Sequence, residues 1–82
     1  MKVWTLLFDD VNCDDCRGVF STKEKALAAF RKHCERCSDI WLDVKKENEG
    51  ENWITFSFKC IIVENTYQLV GVLIQEETVD AL

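Results

Sequence analysis

Side chains of one character recur at every second residue along most of this chain, and at every third or fourth residue along one stretch. Residues 2–9 open the series as a strand, with Trp4, Leu6 and Phe8 on one face and Val3, Thr5 and Leu7 on the other. A polar turn follows at 10–15, and 17–21 form a short second strand. The tetrapeptide 21–24, Ser-Thr-Lys-Glu, has the form of a capping box, in which the Ser21 hydroxyl caps the first turn and Glu24 reaches back. A helix is then expected from Thr22 to about Cys34, with Leu27, Phe30 and Cys34 as its apolar stripe and Ala26 alongside.

Three further strands are expected beyond Ser38 and Asp39. The first covers 40–47, with Ile40, Leu42 and Val44 on one face, and ends in a turn at 48–51. The second covers 52–63, where Ile54, Phe56, Phe58, Cys60 and Ile62 alternate with Trp53, Thr55, Ser57, Lys59 and Ile61. A tight turn at 64–66 leads to the third, 67–77, in which Leu69, Gly71 and Leu73 alternate with Val70, Val72 and Ile74. Residues 78–82 form a tail. Short connections favour antiparallel neighbours. The pattern therefore predicts an α+β fold, β-β-α-β-β-β, in which one helix packs on one face of an antiparallel sheet of four or five strands. The chain is one domain over 1–82, too short for two cores. Its 48% hydrophobic content and lack of proline argue against a disordered linker.

Cysteine spacing changes this picture. Cys13-Asp14-Asp15-Cys16 and Cys34-Glu35-Arg36-Cys37 are two C-x-x-C pairs, and a spacing of this kind reads as a tetrahedral zinc site. Four thiolates leave no open position on the ion, so the expected role is structural, one zinc per chain stapling a small core. The expected topology agrees. A five-residue strand descends about 17 Å and a 13-residue helix returns about 20 Å, bringing both pairs to one end of the domain. Gly18 suits a tight metal knuckle there.

Other readings of the cysteines stand beside this one. The pairs form disulfides in an oxidising compartment; or three cysteines ligate with His33 as fourth donor; or Cys34 is a core residue of the helix stripe. Cys60, in mid-strand on an apolar face, reads as core. The segment after Met1-Lys2 is too short for a secretory leader, and no stretch is long and apolar enough to span a membrane, so a cytoplasmic setting and metal rather than disulfides are expected.

No catalytic set emerges. The first cysteine pair sits among aspartates and the second at a helix C-terminus, both unfavourable to a reactive thiolate. Asp9, Asp10, Asp14 and Asp15 lack the spacing of a calcium loop and read as a solvated acidic turn. With one histidine and no phosphate-binding loop, an enzyme is not expected.

Binding is the remaining class. Net charge is −5, yet residues 22–37 carry Lys23, Lys25, Arg31, Lys32 and Arg36 against Glu24 and Glu35, a local +3 that leaves −8 elsewhere. A basic helix face could follow a phosphate backbone, but the overall charge disfavours nucleic acid. Large apolar residues on both faces of several strands point instead to protein contact. One helix covers one sheet face, and the other is expected to meet a protein partner or a second copy. Trp41 and Trp53 flank the 48–51 turn and suit either an interface or cross-strand packing.

The segment 17–30, Arg-Gly-Val-Phe-Ser-Thr-Lys-Glu-Lys-Ala-Leu-Ala-Ala-Phe, resembles a strand-to-helix junction ("GVFSTKEKA") of many small uncharacterised phage and bacterial proteins. The resemblance covers about the first 35 residues, and those families mostly lack the double C-x-x-C. It implies a phage or mobile-element accessory protein, such as an inhibitor of a host defence complex.

Overall fold

The two longest runs of alternating side chains pair with each other and form the spine of the sheet. A computed structural model describes residues 1–10, 13–64 and 66–79, with the side chains of 9–17 outside that description. It contains β1 (Lys2–Asp10), β2 (Cys13–Phe20), α1 (Lys23–Arg36), β3 (Trp41–Glu49), β4 (Trp53–Val63) and β5 (Thr66–Thr78). The strands form a five-stranded sheet in the order β2-β1-β5-β4-β3, with every pairing antiparallel. The expected α+β class and the five-strand count are thus observed.

Strand order explains the helix. β5 is central and pairs with β1 from Lys2↔Thr78 to Asp9↔Gly71, so the first and last strands meet in the middle. β2 and β3 are therefore the two edges, and α1 connects them. The 14-residue helix lies over one face with the Lys23 ammonium 5.9 Å from the centre of the Trp4 ring and His33 5.7 Å from Phe8, so it follows β1 to the Phe8 end while the chain passes from the β2 edge to the β3 edge.

That face is now assigned. Trp4, Leu6 and Phe8 of β1, Ile54 and Phe58 of β4, and Val70, Val72 and Ile74 of β5 are buried with Ala26 and Phe30 of the helix. Pairings such as Leu6↔Ile74 and Ile54↔Ile74 place them in common rows under α1. Ala26 is fully buried, where a small side chain lets the helix approach the sheet. Leu27 and Cys34 pack only partly against this core, so the helix buries a narrower stripe than its sequence suggests.

Several local expectations are corrected. The helix N-cap is Thr22, one residue beyond Ser21: the Thr22 hydroxyl accepts the Lys25 N–H at 3.2 Å, while the Ser21 hydroxyl accepts the Lys25 ammonium at 3.1 Å. Pairing of Phe20 with Trp4 holds the strand one residue too long for Ser21 to cap. Of the segment expected as a polar turn at 10–15, Asp10 ends β1 and 13–15 open β2, while 11 and 12 lie outside the described residues. Gly18 lies within β2, with φ +156° and the Phe20 ring folded over it, next to a bulge opposite Leu6 and Leu7. It is a bulge glycine within a strand, with Phe20 in the space a side chain would need.

In β3, Ile40, Leu42 and Val44 do not share a strand face. Ile40 precedes the strand, and Asp43 takes φ 56° at a bulge between Leu42 and Lys45. Aspartate tolerates that left-handed conformation better than a branched residue, and the two bulges of β3 break the alternation. β3 also runs to Glu49, so the turn expected at 48–51 shifts toward Trp53, whose carbonyl accepts the Gly50 N–H at 2.8 Å.

Candidate functional site

Two regions carry the sequence-derived functional residues: the cysteine-bearing end of the sheet and the face that α1 leaves open. At the first, the helix C-terminus lies over the Phe8 end of β1. The Phe8 ring lies 5.7 Å from His33 and 6.2 Å from Phe30, and Phe8 pairs with Asp15 of β2. The fold therefore brings Cys34 and Cys37 to the same end of the sheet as the β1–β2 hairpin that holds Cys13 and Cys16.

Within that end the two pairs are held differently. The Cys37 carbonyl accepts N–H groups from Ile40 at 2.9 Å and Trp41 at 2.7 Å, anchoring the second pair at the entry to β3, on the far edge from β2. Cys34 and Cys37 are half-buried free thiols. Burial pushes the Cys34 thiol up, and the charges of Cys37 and Glu35 add to the effect against a hydrogen bond from its own backbone.

Cys13 pairs with Asp10 and Cys16 with Leu7, so both stand at strand positions. A regular strand sends positions three apart to opposite faces. Two thiolates from 13 and 16 reach one ion only where this segment departs from strand geometry. Their side chains lie outside the described residues, and among the described residues no group of three His, Cys, Asp or Glu side chains is placed to hold a metal.

His33 sits among aromatic rings. It meets the Phe8 ring edge-on and stacks with Trp41 at 6.4 Å. This geometry matches a sheet-packed histidine. Trp41 stacks on Phe58 at 4.2 Å and belongs to the same cluster, whereas Trp53 stays 37% exposed and lies against Gly50. The hairpin-packing reading of Trp53 fits this contact, and Trp41 is committed to the core side. Cys60 is half-buried at the margin of the core, opposite Trp41.

The open face is built from the odd positions of β1 and β5. Val3, Thr5 and Leu7 share rows with Glu77, Gln75 and Leu73, and Leu73 pairs in turn with Thr55 of β4. Thr5 is buried even here, its hydroxyl donating to the Gln75 carbonyl at 3.4 Å. Beside Leu73, the missing side chain of Gly71 leaves an open dent of about 180 Å³ that Thr55 also lines.

At one end the β4–β5 hairpin overhangs its neighbours. β1 pairs with β5 no further than Gly71, and β3 pairs with β4 no further than Cys60. Beyond them Ile62, Val63, Tyr67 and Leu69 are 57–66% exposed. Sequence reasoning did not single out this arm. Its signal is length: strands of 11 and 13 residues cannot be flanked throughout by strands of 9.

Charges around the open face are largely paired. Lys59 lies 3.5 Å from Asp43 and 4.9 Å from the centre of the Tyr67 ring, and Lys45 lies 3.7 Å from Glu47. Glu47 also accepts a 2.5 Å hydrogen bond from Ser57, which with Lys45 holds its carboxyl below the usual range. On the helix, Arg31, Lys32 and Arg36 are exposed, with no acidic partner among the described residues. No helix is long and apolar enough to cross a membrane, among the described residues.

Comparison of this chain with family models, with curated proteins and with solved structures found no match.

Proposed function

We propose that this chain is a non-catalytic protein-interaction module that works through its open sheet face and the adjoining β4–β5 arm. The observation that carries this reading is the exposure of Tyr67 and Leu69, whose rows with Ile61 and Lys59 continue the Leu73 face into the arm, where Ile62 and Val63 are exposed as well. Apolar surface of this extent costs free energy in water and marks a place where another surface docks. An accessory role, such as an inhibitor or adaptor acting on a host complex, is one form of such a module. A structural zinc held by Cys13, Cys16, Cys34 and Cys37 would tie the helix C-terminus to the β1–β2 hairpin, at the end of the sheet from which the arm projects, and it is part of the same proposal.

The test pairs two measurements on the purified chain: its mass in solution and its binding of an environment-sensitive apolar dye. A working face either associates or takes up dye, and Leu69→Glu abolishes whichever is seen. A monomer that binds no dye would sink the reading.

A second reading, nucleic-acid binding by the helix, is favoured by one observation, the exposed Arg31, Lys32 and Arg36, which have no acidic partner among the described residues. It predicts binding to generic DNA or RNA that weakens steeply with salt and is lost in Lys25→Glu or Arg31→Glu. Absence of binding at low salt would remove it.

A further inference from the structure

We propose that Cys34 and Cys37 form a redox switch, a dithiol that closes to a disulfide and in closing moves Trp41 at the entry to β3. The switch stands apart from the open-face reading. In sequence the two C-x-x-C pairs are equivalent, and the fold distinguishes them. Positions 13 and 16 lie in β2, where a regular strand points them to opposite faces. Positions 34 and 37 span the end of α1, where residues three apart are neighbours on one face, with Cβ atoms about 5–6 Å apart. Both are half-buried free thiols, near enough for the charge of one to act on the other.

Closure needs a small movement, and the end of the helix can supply it. A disulfide holds its Cβ atoms about 4 Å apart, so the two residues must draw together by about 1.5 Å. Cys34 is held in place by its packing against the core. Cys37 is the helix C-cap, with φ −108° and ψ 23°, and its N–H donates to the His33 carbonyl at 3.1 Å. Its own carbonyl accepts the N–H groups of Ile40 at 2.9 Å and Trp41 at 2.7 Å. Drawing Cys37 toward Cys34 therefore pulls on the first residue of β3. Trp41 stacks on Phe58 at 4.2 Å, so the movement reaches the aromatic cluster beneath the helix.

The oxidant is a low-molecular-weight disulfide. The thiolate of one cysteine attacks a sulfur of that disulfide and releases its other half as a thiolate. The thiolate of the second cysteine then attacks the protein sulfur of the mixed disulfide and releases the remaining half. Two protein thiols lose two electrons and two protons, and one small disulfide becomes two thiols. Zinc would occupy the same two sulfurs, so the reaction is followed with EDTA present.

The intact chain is incubated with glutathione disulfide, its remaining free thiols are blocked, and it is digested with trypsin without reductant. Cleavage after Lys32, Arg36 and Lys45 gives peptides 33–36 and 37–45, each with one cysteine. The expected product is these two joined, lighter than their sum by two hydrogens and separated by dithiothreitol. Oxidation should also shift the tryptophan fluorescence of the undigested protein. That shift is lost in Cys34→Ser, Cys37→Ser and Trp41→Phe and persists in Cys60→Ser; two serine variants keep the test open should one of them not fold. Peptides 33–36 and 37–45 released apart, whether free or each carrying glutathione, overturn the switch, as does a disulfide from either of them to Cys13, Cys16 or Cys60. A Cys34–Cys37 disulfide that leaves the fluorescence unchanged overturns it too, because Trp41 has then not moved.

Discussion

The rings of Phe8 and Trp41 lie 5.5 Å apart, although their strands, β1 and β3, are separated in the sheet by β5 and β4. The two side chains bridge the sheet beneath the helix C-terminus, and Phe30, His33 and Phe58 complete the cluster. Phe8→Ala removes the ring that all of these share, at a position 5% exposed. A loss of about 3–5 kcal/mol is expected, close to the whole stability of so small a core. Urea denaturation followed by tryptophan fluorescence measures it; a loss below about 1 kcal/mol, the scale of an unremarkable substitution, would count against this packing.

Close approach of helix and sheet at Ala26 makes a contrasting pair of variants informative. Ala26→Leu adds volume where no space is exposed and should cost about 1–3 kcal/mol. Ala28→Leu, two residues on and exposed, should lie within about 0.5 kcal/mol of the parent. Equal effects at both positions in a thermal melt would mean that the helix packs by another face.

Acid stability is expected to depend on Glu49. Its carboxylate accepts hydrogen bonds from Lys23 at 2.8 Å and Lys46 at 3.1 Å, tying the first turn of the helix to the end of β3. These bonds, and the charges behind them, hold its carboxyl below its ordinary 4.5. With the folded value below the unfolded one, the contribution is present above the unfolded pKa and disappears as pH falls through the folded one. Glu49→Gln should therefore lower the midpoint of urea unfolding at pH 7 and leave it unaffected at the acid end. An equal effect at both pH values would remove the ionic explanation.

Metal removal addresses the cysteine end. With zinc bound by the quartet, protein purified without chelator should carry one zinc per chain, and EDTA should lower its melting temperature markedly. Cys34→Ser should reproduce the chelator effect, because a hydroxyl is a poor ligand for this ion. No metal, and a melting curve that EDTA does not move, would exclude the staple.

The Cys13–Cys16 register sharpens that experiment. Binding by both residues requires the pairs Asp10↔Cys13 and Leu7↔Cys16 to loosen. Zinc addition should then speed hydrogen exchange of β2 amides between 13 and 16 while slowing it at the helix C-terminus. Exchange that slows uniformly in both segments would show that the strand register already accommodates the ion.

What the sequence determined by itself is local. Period-two alternation marked β1, β4 and β5, because a strand half-buried under a helix must present its apolar side chains to one side. The helix was legible from its stripe and its polar start, though its cap fell on Thr22 and not Ser21, since strand pairing of Phe20 decided where the chain turned. Bulges at Asp43 and beside Gly18 were illegible, because a bulge is defined by the residue across the ladder and not by its own neighbours. Only the tertiary structure decided that β1 and β5 pair at the centre, that α1 therefore connects the two edge strands, and that Trp4, Leu6 and Phe8 lie beneath it while Val3 and Leu7 remain on the open face. Both sets of positions are apolar, so alternation alone leaves them equivalent. Long-range pairing breaks that equivalence, and with it comes the uncovered surface on which the proposed function rests.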